Sequence, residues 1–244
     1  METSTGRSTP CFIVPVLSEL VARVSHDHLV AVLVFGSVAR GDQDSQSDLD
    51  VLVVVDDGEA RRELFQALAA DPSLALSPLV LTAKSLKCEV ADRPSFIAHL
   101  LDEGVAFYET ASWITIRKSL SKSALDVDAL GREVRSRVRH LEPLSTPERF
   151  RNSPVTALSH LYGIARSLII ARLLQVGIHE YSWQRAFDRY AEVRPELRDD
   201  LEALKGLRPY YEYARARIGA NAPDRVVGID EVRQLVHSVQ QLAK

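Results

Sequence analysis

The chain has 244 residues, 46% hydrophobic and 26% charged, which excludes a disordered or low-complexity protein and leaves room for one large domain or two small ones. Its net charge of −3 selects no partner, and two cysteines without a close pair, Cys11 and Cys88, offer neither a disulfide framework nor zinc-ligand spacing. The stretch CFIVPVL is short, contains Pro15 and lacks a cationic lead with a cleavage site, and no apolar run approaches the ~18 residues of a membrane span; a cytoplasmic protein with no membrane partner is expected.

Charge is unevenly placed. Residues 1–110 hold 8 Lys and Arg against 17 Asp and Glu, a net of −9, whereas residues 111–244 hold 22 against 16, a net of +6. An acidic front and a basic back point to two domains with different tasks.

In chain order, residues 1–12 read as a loose tail rich in Ser and Thr. Leu17, Leu20, Val21 and Val24 follow the spacing of an amphipathic helix. VAVLVF at 30–35 reads as a buried strand, Gly36-Ser37 turns the chain, and DLDVLVVV at 48–55 reads as a second strand stopped by Asp56-Asp57-Gly58. Residues 59–70 place Leu64, Phe65 and Leu68 on one helical face. LALSPLVLT at 74–82 is a third strand in which Pro78 fits an edge or a bulge. A short helix over 94–103 ends at Gly104, and VAFYE at 105–109 is a last strand. Beyond it the segments 123–142, 155–176, 182–193, 196–217 and 229–243 read as helices, with Leu158, Leu161, Tyr162, Ala165, Leu168 and Ile169 in one stripe and Gly177 at a helix C-terminus. The expected layout is a tail over 1–12, an α+β domain over 13–115 and an all-α bundle over 116–244.

The chemistry concentrates at residues 36–50. Strand side chains alternate between faces, so Asp48 and Asp50 point the same way, a hard-oxygen pair at the mouth of an apolar strand. Mg²⁺ suits it, because that ion is held by one or two carboxylates plus substrate phosphates. Gly36 lets a phosphate approach the backbone, Ser37 offers a hydroxyl and, if a helical turn starts there, free N–H groups. Arg40 and Ser47 lie in the same polar turn and suit ligand contacts or a solvated loop equally. Asp42 and Asp44 read as solvated loop residues.

Gly36-Ser37, ten residues, then Asp48-Leu49-Asp50 resembles the signature of the DNA polymerase β-type nucleotidyltransferase superfamily. GSVARG with SDLD is similar to the minimal nucleotidyltransferase branch, which includes antibiotic adenylyltransferases and nucleotidyltransferases paired with HEPN partners. The resemblance implies a mixed β-sheet for the α+β domain, and Mg²⁺, two ions, held by Asp48 and Asp50, which are then also the catalytic residues. It implies a nucleoside triphosphate, ATP being expected, bound through Gly36, Ser37, Arg40 and Ser47, and transfer of a nucleoside monophosphate to an acceptor. Active relatives carry a third acidic residue on the next core strand. Here the matching position is Ser77, with no Asp or Glu between Pro72 and Lys87; Asp71, Glu89 and Glu103 lie outside the strand. A nucleotide-binding regulator or toxin-antitoxin-like module with weak or no transfer is the alternative.

The back half adds Arg132, Arg135, Arg137 and Arg139 on one helix, a solvated face or a phosphate-facing surface. Arg172 and His179 resemble the spaced pair of HEPN ribonucleases, but Leu173 stands where that pair has a polar residue. The basic balance favours RNA or an acidic protein surface as acceptor over a polycationic aminoglycoside, although Asp188, Glu192 and Glu196 offer acidic side chains that a cation would use.

Overall fold

The computed structural model describes residues 13–22, 28–43, 49–70, 78–123, 125–146, 153–214, 223 and 227–244. The chain divides into two compact units, residues 1–126 and 127–244. In the first, α1 (Val14–Ala22) precedes β1 (Leu29–Phe35), α2 (Gly36–Arg40) and β2 (Asp50–Val55). Then come α3 (Gly58–Ala70), β3 (Leu79–Thr82), α4 (Ala83–Asp92), α5 (Pro94–Glu103), β4 (Val105–Glu109) and α6 (Ala111–Ser123).

The sheet is mixed, in the order β3-β2-β1-β4. β1 is antiparallel to β2 and to β4, while β2 and β3 run parallel across the α3 crossover. Every residue of β1 is buried, as expected of a central strand covered on both faces. Val32 and Val34 join Leu17, Leu20, Val53 and Leu64 in one core cluster. Phe35 meets α5 edge-on, through Phe96 at 6.0 Å and His99 at 5.7 Å between ring centres. α5 ends tightly there: a side chain at Gly104 would lie 3.2 Å from Leu33 and closer to the Leu100 carbonyl. Pro78 sits just before β3, an edge strand that needs no donor at that position.

Two helices have no counterpart in the sequence reading. α4 starts behind Thr82, whose hydroxyl accepts from the Ser85 amide at 3.0 Å. α6 starts behind Thr110, which accepts from the Trp113 amide at 3.4 Å and donates to the Val30 carbonyl at 2.9 Å. α6 spans the position at which the sequence reading divides the domains, and it lies in the first unit.

The second unit holds α7 (Val127–Arg139), α8 (Pro154–Gln175), α9 (Trp183–Val193), α10 (Arg198–Lys205), α11 (Arg208–Ala214) and α12 (Ile229–Leu242). α8 is its axis, packed by α7, α9, α11 and α12. Its expected stripe is buried throughout, with Tyr162 stacked on Phe187 at 5.7 Å. By length and composition α8 could cross a membrane, but most of it is buried within this unit. Gly177 has φ +77° and closes α8, the Ile178 amide reaching back to the Leu173 carbonyl at 2.9 Å. The single helix expected over 196–217 is two described helices, α10 and α11, broken at Gly206. Pro209 explains the restart, since it lacks an N–H and is tolerated only in a first turn.

Arg172 closes the bundle. Its guanidinium donates to the Leu242 carbonyl at 3.2 Å, to the Ala243 carbonyl and to Gln175 at 2.9 Å. A cation at the end of α12 satisfies carbonyls that the helix cannot. His179 meets Tyr181 edge-on. The Arg172–His179 spacing thus marks a helix clamp and a helix end.

Candidate nucleotide and metal site

Asp50 and Gly36 are adjacent because of register. Phe35 and Asp50 are paired at the end of β1 and β2, and Gly36 follows Phe35 with φ +75°. A β-carbon on Gly36 would lie 3.3 Å from Asp50 Cγ and closer still to Oδ2. Glycine is therefore required twice, by the left-handed backbone and by the carboxylate that fills the space over it. Asp50 is half-buried at the mouth of a strand whose remaining residues are all buried. Ser37, also half-buried, follows in the first turn of α2, where backbone N–H groups have no intrahelical acceptor. A carboxylate oxygen beside a side-chain-free turn is a donor set that fits a hard divalent cation and a phosphate.

Arg40 ends α2 with its side chain 7% exposed. Its Nη1 donates to Glu103 Oε2 at 2.6 Å, and its Nε donates to both Asp42 oxygens at 3.1 and 3.2 Å. The same Glu103 oxygen lies 2.8 Å from His99 Nε2, one turn earlier on α5. Burial is the largest single influence on the Arg40 guanidinium and lowers its pKa, but the bond to Asp42 and the charge of Glu103 together raise it. Arg40 is thus a charged internal tie between α2, α5 and Asp42. Asp42, read as a solvated loop residue, is one end of that tie.

Asp48 and Ser47 lie outside the described residues, as do Asp44, Asp71 and Ser77. The described residues of β3, Leu79–Thr82, include no carboxylate. Glu89 is on α4, bound to Arg93 at 2.5 Å. Glu103 is on the sheet face that also carries Asp50, through the packing of Phe35 on His99, but its charge is engaged by Arg40. His99 escaped the sequence reading. Its one local signal is the four-residue spacing to Glu103 in HLLDE, which shows a helical pair but not the arginine it meets.

His28, Asp56 and Asp57 gather at the other end of β1 and β2, with ligand-type atoms within 4.8 Å of one another. Both acids have structural duties. Asp57 caps α3 by accepting from the Glu59 and Ala60 amides at 2.9 Å, and Asp56 pairs with His28 at 3.1 Å. The Asp56 hydrogen bond and charge raise the His28 pKa above its ordinary value of 6.5. The pair is present below that value and fades as pH rises through the raised one. In an NMR titration the His28 imidazole should lose its proton above its ordinary midpoint, and Asp56→Asn should bring the midpoint down. An unchanged midpoint in Asp56→Asn would contradict this assignment.

In the second unit Arg137 reaches Glu133 at 3.4 Å, Tyr210 is buried, and Tyr211 tilts against Tyr162 at 5.2 Å. Burial pushes the Tyr162 hydroxyl up to about 12, which keeps it neutral. The Arg208 guanidinium lies 3.2 Å from the centre of the Trp183 ring, and Trp183 is half-buried. Asp188 holds Lys205 at 2.6 Å, and Glu192 and Glu196 hold Arg189 and Arg194.

The sequence model of the nucleotidyltransferase domain family matches residues 17–106. No curated protein sequence gives a match. Among solved structures, spectinomycin adenyltransferase AAD(9) from Enterococcus faecialis, solved with ATP and spectinomycin, is 14% identical with a TM-score of 0.53, over 93% of this chain and 98% of that one. A toxin-antitoxin structure with AMP-PNP is 20% identical over 45% of this chain and 84% of that one, with a TM-score of 0.33. A nucleotidyltransferase-like protein from Exiguobacterium sibiricum is 14% identical over 95% and 73%, with a TM-score of 0.33. The adenyltransferase shares the fold at an identity too low to carry its substrates across. The matched span, residues 17–106, holds Gly36 turned under Asp50 and lies in a unit of α+β fold with a mixed four-stranded sheet.

Proposed function

We propose that this protein transfers AMP from Mg²⁺-bound ATP to an acceptor and releases pyrophosphate. The observation that carries the reading is the Asp50 carboxylate seated over Gly36 at the end of two apolar strands, within the span of the matching family. Asp50 and Asp48 would hold the metal, two ions being expected. The Ser37 hydroxyl and the first-turn N–H groups of α2 would take phosphate oxygens, with Ser47 a further contact. Mg²⁺, when bound, supplies charge neutralisation to the triphosphate and to the leaving pyrophosphate. The acceptor oxygen attacks the α-phosphorus, the bond to the β-phosphate oxygen breaks, and the acceptor proton passes to a base or to water.

That proton favours a slow enzyme. The described part of β3 has no carboxylate, and Glu89 and Glu103 are both engaged by arginines. The same observation supports a second reading, a regulator that binds the nucleotide and does not turn it over. In sequence, Asp50 lies two residues before Leu52, and Ser77 lies two residues before Leu79, the partner of Leu52 on β3. The resemblance puts the third acid of active relatives at Ser77, which makes it the position to test.

The acceptor proposed is an anionic one, RNA or an acidic protein surface. The +6 balance of residues 111–244 supports it, and Asp188, Glu192 and Glu196 each already hold a basic side chain.

Three outcomes test these statements. Asp50→Asn should fold and weaken Mg·ATP binding by on the order of tenfold or more in calorimetry. Gly36→Ala should do the same and also lose about 1–2 kcal/mol of stability from its left-handed backbone. Equal affinity in wild type and both variants would sink the site. If base assistance is what wild type lacks, Ser77→Asp should raise pyrophosphate release by ~10²-fold or more, the usual worth of a general base. Fast wild-type turnover indifferent to residue 77 would place the base elsewhere. Labelled-AMP transfer to RNA or protein should fall steeply with added salt. Efficient transfer to an aminoglycoside, lost when the three acids are neutralised, would overturn the anionic acceptor.

A further inference from the structure

We propose that Arg40 is a positioning residue that sets the Gly36 turn against Asp50, held from behind by Glu103 and Asp42, and that it is not a ligand of the phosphates. The inference rests on the nucleotide site proposed above. Gly36 and Arg40 are the first and last residues of the five-residue α2, so a tie at Arg40 fixes the orientation of the turn. The tie reaches α5, which covers the sheet face on which Phe35 and Asp50 are paired. Arg40 uses two separate donors in two directions, Nη1 to Glu103 and Nε to Asp42. A planar guanidinium can do this, whereas an ammonium, a single point charge, cannot hold both in the same geometry. With its side chain 7% exposed and Glu103 8% exposed, the pair is inside the domain.

The opposite signs expected for the two roles make them separable. If Arg40 took a phosphate, Glu103 and Asp42 would be its competitors, and neutralising either would strengthen Mg·ATP binding by removing negative charge from an anion site. If Arg40 is a strut, neutralising either weakens binding, because the turn loses its backing. Lysine discriminates again, since it serves as a phosphate point charge but fails as a two-way bridge.

The experiment is Mg·ATP calorimetry, with melting temperatures, on wild type, Asp50→Asn, Glu103→Gln, Asp42→Asn, Arg40→Lys and Arg40→Met. Asp42→Asn perturbs only the surface end of the network and secures the test should Glu103→Gln fail to fold. The strut predicts that Glu103→Gln weakens affinity by on the order of tenfold, as loss of an outer supporting partner does elsewhere. It predicts that Asp42→Asn weakens it several-fold without lowering the melting temperature, and that Arg40→Lys falls as far as Arg40→Met. Affinity unchanged or raised in Glu103→Gln or Asp42→Asn, or retained in Arg40→Lys but lost in Arg40→Met, overturns the strut. Wild type that does not bind, or Asp50→Asn that binds equally, overturns the nucleotide site and the strut with it.

Discussion

A carboxylate at the end of an apolar strand must have somewhere to go, and here it goes over a residue with no side chain. Asp50 sits where any β-carbon on Gly36 would collide with it. The rest of the first unit follows from that closeness. β1 and β2 must be paired in the register that sets Phe35 across from Asp50, and the chain must leave β1 in a left-handed turn. A one-residue slip would turn Asp50 to the opposite face and end the contact. The hydrophobic burial that forms the two strands is therefore also what fixes the acid beside the turn.

A second charged group is handled differently. Arg40 and Glu103 are both inside, and a buried pair of this kind is weak evidence for stability, since desolvation offsets most of the attraction. Breaking it would be costly, because one charge would remain buried alone. Such a pair holds geometry more than it adds free energy. That fits a device for orienting a short helix which, at five residues, has little rigidity of its own.

The paired strands, the Gly-Ser turn, the edge position of Pro78, the stripe of α8 and the glycine after it were all legible in the sequence. Each is written locally, in periodicity or in a residue with special backbone chemistry. The alternation of strands and helices was legible for the same reason, whereas the mixed strand directions came from the resemblance. α4 and α6 were not, because their starts are single threonine caps without a strong apolar repeat behind them. The break between α10 and α11 was hidden by a helical pattern that continues through Gly206, although Pro209 was in plain view. The tie between Arg40 and Glu103 was not legible, because the two lie 63 residues apart and no local pattern encodes that meeting. Asp48, Ser47 and Ser77 were singled out from motif spacing and lie outside the described residues.

The central claim is that the turn at Gly36 and the carboxylate of Asp50 form one nucleotide site. The most direct measurement is an amide chemical-shift map of the labelled protein titrated with ATP, with and without Mg²⁺. The account predicts that the largest Mg²⁺-dependent shifts fall on Gly36, Ser37 and Asp50. Shifts centred on His28, Asp56 and Asp57 at the far end of the same strands, or a response indifferent to Mg²⁺, would contradict it.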